Sequence, residues 1–147
     1  MGSLLKWSLT SLLLVCSFYP ATASAEQSRR FGDYVVHYNT LTTDMLNPDV
    51  AREYDIQRSS SRAMITISII RQSDDEAVTA ELEVTSGMLT GHKQNLTMRE
   101  IHEGDAIYYL SDFPVAHRDM LNFTIRVKPE GSQQSYTFQF EEQFFTE

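Results

Sequence analysis

RAMITISII, residues 62–70, decides how this chain folds. Ala63, Ile65, Ile67 and Ile69 fall on one side of an extended backbone, and Met64, Thr66 and Ser68 on the other. A period of two carried by β-branched residues is the mark of a half-buried strand, not a helix. Working outward, QSDDEA (72–77) is a charged turn. VTAELEVTSG (78–87) then sets Val78, Ala80, Leu82 and Val84 against Thr79, Glu81, Glu83 and Thr85. A less regular strand covers 94–101, with Gly104-Asp105 as the next turn, and AIYYLSDF (106–113) follows. In LNFTIRVK (121–128), Leu121, Phe123, Ile125 and Val127 alternate with polar residues. PEGSQQ turns the chain, and SYTFQFE closes with Tyr136, Phe138 and Phe140 on one side.

Upstream, Tyr34, Val36 and Tyr38 form the drier face of a first strand, which leaves His37 on the wetter face as a solvent-facing histidine. Asn47-Pro48-Asp49 then opens a helix of about two turns. Asn47 suits the cap, Pro48 the first helical position and Asp49 the first turn. The whole reads as all-β: an immunoglobulin-like β-sandwich of about seven strands with one short helix near the mature N-terminus. HRDMLNFTIRV resembles the corner leading into the penultimate strand of such domains, with Phe123 in place of the usual tyrosine. A membrane barrel is disfavoured, because the strands are short and the chain does not end on an aromatic residue.

Residues 1–25 read as a secretory signal peptide. Lys6 precedes the short apolar run Trp7 to Tyr19, Pro20 breaks it, and Ala23-Ser24-Ala25 fits signal peptidase. Cleavage after Ala25 leaves residues 26–147 as one domain and removes Cys16, the only cysteine. Val15 before that cysteine argues against lipidation. Losing Lys6 leaves 11 basic against 20 acidic residues, a net charge of −9. Such a balance argues against nucleic acid and against anionic membrane surfaces, both of which select a basic face. The expected location is the periplasm, with no membrane insertion after cleavage.

Catalytic signatures are missing. There is no G-x-S-x-G elbow, no Gly-rich phosphate loop and no cysteine nucleophile in the mature chain, and Asp74-Asp75-Glu76 and Glu141-Glu142 read as solvated acids. Asn95-Leu96-Thr97 is a formal glycosylation sequon that matters only in a eukaryotic secretory pathway. Two readings remain. The first is a non-enzymatic envelope protein, without cofactor, that contacts another protein through Tyr38, Met45, Asp49, Arg52 and Tyr54. These residues fall in or beside Thr40 to Arg58, a connection long enough to cap an edge or end of the sheet or to form a partner groove. The alternative is a copper or other soft-metal carrier using His92, Met98, His102, His117 and Met120, because thioether and imidazole suit Cu(I). It requires those side chains to converge, and the sequence lacks the H-x-M pair of known carriers.

One resemblance bears on this. FGDYVVHYNTLTTDMLNPDVAREYDIQRS followed by RAMITISI resembles a family of small secreted proteins of Gram-negative bacteria, domain of unknown function number 4426. The F-G-D-Y opening, the N-P-D-V helix start and the R-S-x-x-R-A entry to the second strand carry the likeness. It implies an all-β periplasmic domain and no transferable activity.

Overall fold

The computed structural model describes residues 27–146. The signal peptide, its cleavage site and Cys16 lie outside the described residues. The described chain forms ten strands: β1 (Gln27–Phe31), β2 (Tyr34–Thr42), β3 (Arg62–Arg71), β4 (Glu76–Ala77), β5 (Ala80–Gly87), β6 (Lys93–Leu96), β7 (Arg99–Glu103), β8 (Ala106–Pro114), β9 (Met120–Pro129) and β10 (Tyr136–Gln143). A 3-10 turn (Thr43–Met45) and helix α1 (Pro48–Glu53) separate β2 from β3.

The strands make two antiparallel sheets. One runs β1-β2-β3-β8-β7, with β4 extending the far end of β3, and the other runs β10-β9-β5-β6. Without β1 and β4, the order β2-β3-β8-β7 over β10-β9-β5-β6 is the A-B-E-D over G-F-C-C′ layout of immunoglobulin-like sandwiches. Ile65, Ile67 and Ile69 of β3, Val36 and Tyr38 of β2, and Phe123, Ile125 and Val127 of β9 are buried between the sheets. An aromatic ladder crosses the gap. Tyr38 lies 4.5 Å from Phe140 and 5.1 Å from Phe138, and Phe140 stacks on Phe123 at 4.9 Å. Offset rings at these separations add to what area burial alone supplies.

The strand count differs from the sequence reading for definite reasons. QSRRF in β1 shows no alternation because it is an exposed edge strand, and its arginines discourage further pairing. It turns into β2 through Gly32-Asp33, with Gly32 at φ 57°, a backbone that β-branched residues avoid. Residues 94–101, read as one strand, are two. β6 pairs β5 in one sheet, and after Thr97-Met98 the chain crosses to pair β8 as β7 in the other. β4 is a two-residue bridge onto β3. LNFTIRVK, by contrast, forms one strand as its alternation predicts, with Leu121 and Phe123 inside β9.

The long connection after β2 reaches the edge strand β7, where Arg99 Nη1 donates to Tyr54 O at 2.7 Å, but lies mainly over a face of the sheet. It packs on the outer face of the six-stranded sheet, where Ala51 and Ile56 meet Met64 of β3 and Leu110 of β8 in a second apolar cluster. Met64 points there because its neighbours Ala63 and Ile65 face the main core. Asn47 Oδ1 caps α1 by accepting the Asp49 amide at 2.8 Å. The helix ends in a Schellman motif: Ile56 N–H donates to Ala51 O at 2.8 Å, Asp55 N–H to Arg52 O at 3.3 Å, and Asp55 takes the left-handed position at φ 53°. Thr43, fully buried, accepts the Ser59 amide at 2.9 Å and lies 2.8 Å from Gln57 O and 3.1 Å from Ser59 O, to which its hydroxyl donates. These bonds hold both ends of the cover to one point.

Candidate functional site

The most organised polar network lies where β7 of one sheet approaches the start of β5 in the other. Glu100 and His102 alternate onto one side of β7, and His102 Nε2 sits 2.6 Å from Glu100 Oε1. The Tyr109 hydroxyl of β8 donates to Glu100 Oε2 at 2.9 Å and accepts the Ala80 amide at 2.9 Å, so one phenol ties the two sheets together. An open cleft of about 560 Å³ adjoins it, lined by Thr79, Glu81, Glu100, Lys128 and Glu130 among others. Thr79 Oγ1 donates to Glu130 Oε2 at 2.5 Å, which braces the cleft's far wall.

The electrostatics of this network point away from proton-transfer chemistry. The hydrogen bonds from His102 and then Tyr109 hold the Glu100 carboxyl below the ordinary glutamate range. Burial above all, with the Glu100 bond adding, pushes the Tyr109 phenol up to about 12. A catalytic acid or base works best with its pKa near the working pH, and both groups have moved the other way. Glu142, on the inward side of β10, is raised by burial and has no partner group among the described residues. Among the described residues no three or more His, Cys, Asp or Glu are grouped to hold a metal ion.

The residues singled out in the sequence scatter. Tyr38 is not on the surface: only 2% exposed, it belongs to the aromatic ladder, because the drier face of its strand turns wholly into the core. Tyr54 is half-buried against the second cluster. Met45 is 75% exposed, and Asp49 and Arg52 are exposed and ion-paired with each other. His37 is half-buried on β2.

Among the candidate metal ligands, Met98 packs against the main core and His102 is engaged by Glu100. His92, His117 and Met120 share one end of the four-stranded sheet, since Gly87 pairs with Asn122 and the β5–β6 turn reaches past it. His102 does not join them. It pairs with Ile107, seven residues along β8 from Pro114, which is roughly 23 Å at a strand's rise. His117 Nδ1 accepts the Thr146 amide at 3.2 Å, so its neutral ring carries the proton on Nε2.

Sequence reasoning missed Glu100 and Tyr109. The E-x-H spacing of Glu100 and His102 on a strand was the available signal. Tyr109 reads simply as core in AIYYLSDF, and only the packing of one sheet on the other brings its hydroxyl to Ala80.

Residues 28–147 match the family model described as Domain of unknown function (DUF4426). The crystal structure of a DUF4426 family protein from Pseudomonas aeruginosa PAO1 is similar, at 35% identity and a TM-score of 0.71, over 82% of this chain and 94% of that one. A copper-bound variant of FetP from uropathogenic Escherichia coli strain F11 aligns at a TM-score of 0.59 and 11% identity, over 82% of this chain and 95% of that one. FetP from the same strain, as isolated after recombinant expression in the periplasm, aligns at 0.59 and 10%, over 82% and 94%. At those identities the FetP likeness speaks for the fold. No curated protein matches the chain.

Proposed function

The chain belongs to the DUF4426 family, and from that premise we propose a non-enzymatic periplasmic sandwich that acts by protein–protein contact in the cell envelope. The observation that carries the reading is the two-sided character of the cover segment. Its inner side is fixed by the Schellman motif, the Thr43 bonds and the Ala51–Ile56–Met64–Leu110 cluster. Its outer side presents Met45 and Val50 to solvent beside the Asp49–Arg52 pair. Apolar side chains with charged neighbours on a backbone held in place suit a partner surface, because little backbone ordering entropy remains to be lost on binding. The directions of the Glu100 and Tyr109 shifts support the absence of catalysis. The leader-like segment and the fold shared with FetP support the location.

Site-specific photocrosslinking from position 45 in the native periplasm tests this. A discrete protein adduct that Val50→Asp removes supports the surface; a label that yields no adduct, or one indifferent to Val50→Asp, refutes it.

A second reading, soft-metal binding, draws support from His92, His117 and Met120 sharing one end of the sandwich, and from a copper-bound neighbour of the same fold. Coordination through His117 Nε2 would require the ring proton to move and the Thr146 bond to break. Native mass spectrometry after Cu(I) addition decides it: one retained copper, lost in Met120→Leu, supports the reading, and a bare chain ends it.

A further inference from the structure

β5 is an interior strand of its sheet with one side half open. β9 pairs with its whole length, from Ala80 opposite Pro129 to Gly87 opposite Asn122, whereas β6 pairs only with Val84 to Gly87. The cause is the crossing after Leu96, which carries the chain away to β7 in the other sheet. In an antiparallel ladder the N–H and C=O of one residue point to the same side, and successive residues alternate. The Glu130 amide donates to Thr79 O at 2.8 Å, so Thr79, Glu81 and Glu83 turn these groups to β9. Ala80, Leu82, Val84 and Ser86 turn theirs the other way. There Val84 and Ser86 face Leu96 and Gln94, and the Ala80 amide donates to the Tyr109 hydroxyl at 2.9 Å. The Ala80 carbonyl and both backbone groups of Leu82 have no β6 residue opposite them.

A trough follows this open half. The cleft beside Glu100 borders Thr79, Ala80 and Glu81, and a further hollow of about 440 Å³ borders Leu82 to Thr85 with Asn95 and Leu96. Across the trough, β7 reverses the usual polarity of a sandwich strand. Glu100 and His102 share the inward side with their partners Tyr109 and Ile107, while Ile101 packs outward on the second cluster. Their side chains are 42% and 55% exposed, so the short β6 leaves that inward side wet. Glu81, Glu83, Glu100 and Glu130 border the trough against Lys128 and Arg126. Arg126 is engaged by Glu83 at 3.4 Å and Glu100 by His102, which leaves a small excess of negative charge.

We propose that the open half of β5 takes up an extended peptide segment as an added strand, with basic side chains preferred. Ala80 to Glu83 offers an edge of about 13 Å at a strand's rise. Backbone groups repeating at that spacing are what an extended peptide matches, and the flanking side chains then select among sequences. This surface is separate from the cover segment.

Fluorescence anisotropy of a labelled, end-capped hexapeptide of alternating lysine and valine tests the proposal. Two isomers of it, N-methylated at the three lysines or at the three valines, read the backbone. An added strand bonds β5 through one alternate set of amides, so one isomer should bind and the other should not. Leu82→Pro removes the amide that faces the trough and leaves the β9 ladder whole; it should abolish binding while circular dichroism shows the fold intact. Glu100→Gln with Glu130→Gln keeps the acceptors for Tyr109 and Thr79 and should weaken binding about tenfold, at roughly threefold per exposed ion pair. No binding of the unmethylated peptide overturns the proposal. Equal behaviour of the two isomers, whether both bind or neither does, overturns it as well, since the attraction then does not run through a strand edge. A glutamate–valine peptide that binds as tightly overturns the preference for basic side chains. Crosslinking from position 45 is unaffected by any of these outcomes.

Discussion

Tyr109→Phe removes one oxygen from a residue that is 5% exposed and leaves two groups short of a partner. The Ala80 amide loses its acceptor at 2.9 Å and Glu100 Oε2 loses its donor at 2.9 Å. A net hydrogen bond contributes about 1 kcal/mol, and one to a charged group about 1.5–3. The Glu100 side chain is 42% exposed, so water replaces much of the second contribution. The expected cost at neutral pH is about 2 kcal/mol, read as a lower urea midpoint at unchanged slope.

The same phenol makes an alkaline prediction. Its pKa in the fold, about 12, is raised above the ordinary 10, so its contribution is fully present below pH 10. It is lost as the pH rises through the folded value. A two-unit difference corresponds to about 2–3 kcal/mol. Urea curves measured from pH 9 upward should therefore show wild type losing stability more steeply than Tyr109→Phe, with the two converging near pH 12. A variant as stable as wild type at neutral pH, or parallel alkaline slopes, would refute the idea that this hydroxyl ties the sheets together.

Three further outcomes are expected. Thr43→Val strands the Ser59 amide and a carbonyl at a fully buried site, costing about 2 kcal/mol and exposing the cover segment to limited proteolysis before the sandwich unfolds. Gly87→Ala would place a methyl 2.8 Å from the His92 carbonyl oxygen and 3.0 Å from Lys93 Cα, both backbone atoms; a loss of about 2 kcal/mol in thermal unfolding follows because β6 must move. Glu142→Gln should slightly stabilise the fold at pH 7, because the charged carboxylate is the form that burial disfavours. Burial raises that carboxyl above its unfolded value, so its stability contribution is present in acid and lost as the pH rises. The gain should disappear below pH 4 in chemical denaturation.

How much of this was legible beforehand follows from what a local pattern encodes. Alternation in RAMITISII, VTAELEV and LNFTIRV reports which side of a strand is dry, and Ile65, Ile67, Ile69, Val84, Phe123, Ile125 and Val127 are indeed buried. Asn47-Pro48 announces its helix because capping is settled within three residues. Gly-Asp marks a turn at 104 and at 32 alike, but the second is hard to read in sequence, since β1 carries no apolar pattern to pair with it.

The candidate sites were far less legible. Alternation puts Tyr38 on a dry face, and only the meeting of two sheets shows that the face is closed over by Phe138 and Phe140. His102 and His117 are fifteen positions apart in sequence, yet β8 carries them to opposite ends of the molecule.

The sequence by itself determined the all-β class, the strand faces, the capped helix and the acidity, because each depends on neighbours within a few residues or on composition alone. Tertiary structure decided where 94–101 changes sheets, that a helix roofs Met64 and Leu110, and that Tyr109 reaches Ala80. Those facts arise from pairing between residues tens of positions apart, where the choice of partner rests on the packing of the whole core and leaves no mark in any short stretch of chain.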